Sequence, residues 1–87
     1  MGLLANVARR AGTFHFRRVI PTAAREALGR RELVRTLNTG DPRIARPRAA
    51  QLYLLSERIF ETAGRGAMLD EAKLARLVQD FYATILD

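Results

Sequence analysis

The run Thr13-Phe14-His15-Phe16-Arg17-Arg18-Val19-Ile20 alternates in hydropathy with period two, and it constrains the fold more than any other stretch. A pleated strand sends successive side chains to opposite faces, so Phe14, Phe16 and Ile20 point one way while Thr13, His15, Arg17 and Val19 point the other. The run therefore requires a sheet with one apolar and one polar face, and a second layer to cover the apolar one. Residues 4–10 (Leu-Ala-Asn-Val-Ala-Arg-Arg) read as a preceding strand, joined through Ala11-Gly12 as the tight turn of a hairpin. Arg31-Glu32-Leu33-Val34-Arg35-Thr36-Leu37 reads as a third strand in which Leu33 and Leu37 share a face.

Helix signals fill the gaps. Pro21 cannot continue a sheet ladder and sets up a short helix from Thr22 to Leu28, closed by Gly29 just past its end. Asn38-Thr39-Gly40 makes a turn, after which Asp41-Pro42 supplies an N-cap and a first-turn proline. The long helix begun there runs to about Ala63, with Ala45, Ala49, Leu52, Leu55, Ile59 and Ala63 recurring at three- and four-residue steps, and stops at Gly64 and Gly66. Pro47 falls in its second turn, where the missing N–H and the ring should tilt or tighten it. A second long helix starts near Asp70 and carries Leu74, Leu77, Val78, Phe81 and Ile85 on one stripe. The expected fold is α+β: a small three-stranded antiparallel sheet packed on a long helix, then a C-terminal helix. Residues 1–63 form the domain and 64–69 a linker. The helix in 70–87 either begins another domain or packs back on the first.

A chain of 87 residues buries only roughly 60–65% of the surface it exposes unfolded. With no cysteine it has no disulfide staple or thiolate metal site, and with His15 alone it has no multi-histidine site. No cofactor is expected. Charge says more. Fourteen of the fifteen basic residues are arginine, and the net charge is +6. Residues 1–50 hold eleven arginines against Glu26, Glu32 and Asp41, eleven less three or +8, whereas residues 51–87 hold four cations against six carboxylates, or −2. Solubility would be better served by interspersed signs. High-GC codon bias favours arginine over lysine but not over glutamate. The asymmetry points to a polyanion-facing surface in the first half.

No apolar run approaches the roughly 18–20 residues of a spanning helix, so no membrane partner is expected. The start, Met1-Gly2-Leu3-Leu4-Ala5-Asn6, lacks the Ser or Thr of a myristoylation signal. The acid-free, Arg-rich stretch up to Arg25 would suit a transit peptide, but an amphipathic helix does not alternate as residues 13–20 do. The chain reads as cytosolic.

The order of these pieces resembles the N-terminal region of phage-type tyrosine recombinases. Gly12-Thr13-Phe14-His15-Phe16-Arg17-Arg18-Val19-Ile20-Pro21 is similar to that family's Gly-x-aromatic-x-Phe-Arg-Arg-x-x-Pro hairpin. Gly29-Arg30-Arg31-Glu32, continuing through Leu33-Val34-Arg35-Thr36-Leu37-Asn38-Thr39-Gly40-Asp41-Pro42, is similar to its next strand and turn. The resemblance covers roughly residues 4–60, and the rest of the chain is similar to the linker and first helix leading into the core-binding domain. Thr36 stands where the family usually has Ser, Asn38 where it has Gly, and Pro47 where it has Arg or Ala. The resemblance implies a small sheet domain that binds double-stranded arm-type DNA sites for integration or excision, in a bacterial or phage cytoplasm, and that works beside neighbouring recombinase domains. No part of these 87 residues resembles that family's catalytic domain. His15-Phe16-Arg17-Arg18 fits the family's His-x-x-Arg pattern, and Tyr53 or Tyr82 could pose as nucleophile. However, His15 and Arg18 lie an odd number of strand positions apart and should face opposite sides, so this chain is not expected to be an enzyme.

A polar sheet face fits the major groove, which admits a two-stranded ribbon. Thr13, His15, Arg17, Val34 and Thr36 are expected on it. Arg17 is the candidate for a guanine edge, His15 for a base or phosphate, and Thr36 for a thymine methyl. Arg9, Arg10, Arg18, Arg30, Arg31 and Arg35 are candidates for phosphate contacts, as are Arg43, Arg46 and Arg48 at the helix start. Arg18 and Arg35 share the apolar parity, so both are expected at sheet ends with stems snorkelling to water. The competing reading is a protein–protein module, in which the last helix docks another protomer as a homo-oligomer and the arginines only solubilise.

Overall fold

A computed structural model of the protein describes residues 6–86. Its elements are β1 (Val7–Arg10), β2 (Thr13–Val19), α1 (Thr22–Leu28), β3 (Glu32–Thr36), α2 (Pro42–Ala63), a 3₁₀ turn (Gly66–Met68) and α3 (Glu71–Ala83). The strands form one antiparallel sheet in the order β1-β2-β3, so the α+β architecture is as the periodicity predicts. Leu4 and Ala5, placed on the first strand by their sequence, lie outside the described residues.

The β1–β2 hairpin turns through Ala11 at φ 49° and Gly12 at φ 82°. Two successive positive φ values give the twist that a two-residue hairpin loop needs. Val7 pairs with Phe16 and Ala8 with His15; His15 pairs with Thr36 and Arg17 with Val34. This register places Ala8, Arg10, Thr13, His15, Arg17, Val19, Glu32, Val34 and Thr36 on one face and Phe14, Phe16, Arg18, Leu33 and Arg35 on the other. Asn38 takes φ 54° at the exit of β3, a left-handed conformation that its side chain tolerates. The two turns meet at Gly40. A Cβ there would fall 2.3 Å from the backbone oxygen of Gly12.

Asp41 caps α2 by accepting from the Arg43 backbone N–H at 2.9 Å, with Pro42 opening the helix. The helix continues through Pro47, whose ring is exposed. Its covered stripe is Ala45, Ala49, Leu52, Ser56, Ile59, Thr62 and Ala63, so Ser56 takes a place the periodicity assigns to Leu55, which is half-buried. Asp70 caps α3 in the same way, accepting from Lys73 N–H at 3.0 Å.

Of the two arrangements open to the last helix, α3 packs back on α2. Leu74 and Phe81 are buried, with Leu77 and Val78 half-buried beside them. Ile85 lies beyond the helix end and is 79% exposed, so it drops out of the expected stripe. The core is one cluster between the inner sheet face, α2 and α3. Phe16, Ile20, Leu33, Leu37, Leu52, Ile59 and Phe81 are all fully buried in it, and the Phe16 and Phe81 rings lie 5.8 Å apart. Among the described residues no helix is long and apolar enough to cross a membrane.

Candidate nucleic-acid interface

Because α2 and α3 cover the inner face, the outer face of the sheet is open. Ala8, Arg10, Arg17, Val19 and Val34 are exposed there; Thr13, His15, Glu32 and Thr36 are half-buried, and none of the nine is buried. A shallow depression of about 210 Å³ is lined by Ala8, Arg10, His15, Arg17, Glu32 and Val34. A second, shallower basin carries the surface on past Thr13, Thr36 and Asn38. His15 and Arg10 line both. The outer face thus brings together Arg10, His15, Arg17 and Thr36 of the candidate residues. Arg17 is not alone: its Nε donates to Glu32 Oε2 at 2.7 Å, with the Arg17 side chain still 57% exposed. Glu32 shares the outward parity of Val34 and Thr36, so its side was readable in the sequence, but its pairing with Arg17 required the register.

Arg18 and Arg35 do not snorkel to water as their parity suggests. Arg18 Nη1 donates to Ser56 Oγ at 2.6 Å and Nη2 to the Tyr53 hydroxyl at 3.3 Å, and the guanidinium pairs with Glu57. It lies 4.0 Å from the Tyr53 ring centroid and 4.7 Å from that of Phe60. This explains the buried Ser56. Its hydroxyl donates to the Tyr53 carbonyl at 2.7 Å and accepts from Arg18. Arg35 Nη1 donates to the Phe81 carbonyl at 2.8 Å and Nη2 to that of Thr84 at 2.6 Å. A cation satisfying the last carbonyls of a helix is favoured both by hydrogen bonding and by the helix dipole. Both guanidinium groups are therefore committed inside the fold, where the sheet's apolar side meets α2 and α3.

The remaining arginines divide by position. Arg30 donates to the Tyr82 hydroxyl and lies 5.2 Å from the centroid of that ring. Arg48 Nη1 donates to the Leu37 carbonyl at 2.7 Å, tying the start of α2 to the end of β3. Arg43 turns back on its own cap, with Nη2 3.1 Å from Asp41 Oδ2. That side-chain bond, together with the Arg43 backbone N–H, holds the Asp41 carboxyl below its ordinary range and in turn raises Arg43. Arg9 shares the inner parity at the sheet edge, with its guanidinium 5.4 Å from the Phe14 ring centroid. Arg31 and Arg46 are exposed.

The His-x-x-Arg pattern does not converge. His15 faces outward, while Arg18 faces α2 over the Tyr53 ring.

Residues 6–65 match the family described as "Domain of unknown function (DUF6538)". No curated protein and no solved structure gives a significant match.

Proposed function

This chain belongs to the DUF6538 family, whose description assigns no activity, and we propose that it is a DNA-binding module that lays the outer face of its sheet on duplex DNA. The observation that carries this reading is the open outer face, where Arg10, His15 and Arg17 line one continuous surface with Glu32 as its sole acid among the described residues. A ribbon of this kind fits a major groove, and its cations meet phosphates on the groove walls. The order of hairpin, short helix, strand and Arg-rich helix supports a place at the N-terminal end of a phage-type tyrosine recombinase, non-catalytic by itself, acting on DNA in a bacterial or phage cytoplasm. Self-association is not favoured by the last helix, because the α3 stripe that would have served it packs on α2.

Mobility of a labelled attachment-site duplex tests the reading. Arg10→Ala with Arg17→Ala should abolish the shift while leaving the fold intact, because neither side chain enters the core. An undiminished shift in the double variant, or no shift by wild type at low salt, overturns it.

A further inference from the structure

We propose that Glu32 is a positioning residue that aims Arg17 at a guanine, an inference that rests on the DNA-binding reading above. A carboxylate is out of place on a surface that only collects phosphates, since it repels them and cancels one of the few cations present. Glu32 nevertheless sits beside Arg17, and both line the same depression. The contact is made through Nε, at 2.7 Å, and the Arg17 side chain makes no other hydrogen bond within the described residues. A guanidinium held by its Nε keeps its two terminal nitrogens together on the opposite edge, which is the pair that can fork to guanine O6 and N7. Holding the fork in advance also lowers the ordering cost of a long, flexible side chain at the moment of contact. Ala8 and Val34, the aliphatic members of the same lining, offer no competing partner to that fork. Glu32 therefore trades sequence-independent affinity for selectivity. An ion pair serving only the fold or solubility would make no such exchange.

The opposed signs make the inference testable. Wild type, Glu32→Ala, Glu32→Gln and Arg17→Ala are each used to select from a pool of duplexes with a randomised centre. The recovered sequences are then titrated with and without a guanine analogue in which carbon replaces N7. Wild type should enrich a guanine and lose affinity roughly 5-fold or more with the analogue. Glu32→Ala should lose that penalty while binding unselected duplex more tightly. Glu32→Gln keeps an oxygen acceptor for Nε without the charge, so it should retain the penalty and also gain affinity. Arg17→Ala, which has no donor for N7, should lose the penalty. Duplex binding by wild type that ignores the analogue, or a full penalty in Glu32→Ala, overturns the role of Glu32 and leaves the DNA-binding reading standing. Absence of any duplex binding by wild type overturns both.

Discussion

Arg17 and Arg18 are neighbours on one strand and differ in parity, and parity decides which side of the sheet each guanidinium meets. On the outer side it meets water, a neighbouring carboxylate or a ligand. On the inner side it must be satisfied by hydroxyls, carbonyls and aromatic faces, because an unpaired buried charge is costly. Two predictions belong to this scale. Ala11 holds φ 49°, a conformation that costs a residue with a Cβ roughly 1–2 kcal/mol, whereas Asn bears it more easily. Ala11→Asn should therefore raise stability by up to about 1 kcal/mol, read from the urea midpoint at unchanged slope. Asp41 gives a pH dependence. Its carboxyl is held below the ordinary 3.8 chiefly by its hydrogen bond from the Arg43 side chain. Its contribution is thus fully present above that value and is lost as pH falls through the lower folded value. Asp41→Ala should lower Tm at neutral pH, and the gap from wild type should close in acid below 3.8.

At the scale of elements, α3 is the piece that completes the core. It lies beyond the matched residues 6–65, yet it supplies Phe81, which is fully buried against Phe16. Arg35 fastens its last turn to β3 through the Phe81 and Thr84 carbonyls. Phe81→Ala should cost about 3–5 kcal/mol, a large part of the roughly 5–15 kcal/mol available to a domain. Arg35→Ala should cost less, about 1.5–3 kcal/mol for its charged hydrogen bonds. Denaturant unfolding of the two variants checks both values. The elements themselves were legible. Period-two alternation marked β2, Asp41-Pro42 marked the start of α2, and Gly29 marked the end of α1. Strand ends were not, because β1 and β3 stop where pairing stops, and pairing is a property of two strands. Ser56 was unreadable for a similar reason. A hydroxyl in a helix stripe breaks the apolar pattern unless one knows that Arg18 comes to meet it.

For the whole molecule, the arrangement of charge matters more than its total. The chain extends 42 × 23 × 19 Å, with the 22-residue α2 accounting for about 33 Å of helix. Of the arginines in the basic half, Arg18, Arg25, Arg35 and Arg48 donate into the fold, which leaves fewer to meet a polyanion than the net charge suggests. With three or four phosphates neutralised, the binding constant should fall about 50- to 150-fold between roughly 50 and 200 mM salt, measured by fluorescence anisotropy. A contact set of six phosphates would give a fall of about 10³-fold.

The amino-acid order by itself determined which side chains share a face, where the helices begin and where α1 and α2 end, and that an arginine-rich polar surface must oppose an aromatic one. All three come from local geometry, repeated every two residues in a strand and every three or four in a helix. Only the tertiary structure decided which arginines remain open, that Glu32 stands beside Arg17, and that α3 closes the core. Each depends on contacts between residues distant in the chain, and those exist only once the strands have taken their register and the helices have come to rest on the sheet.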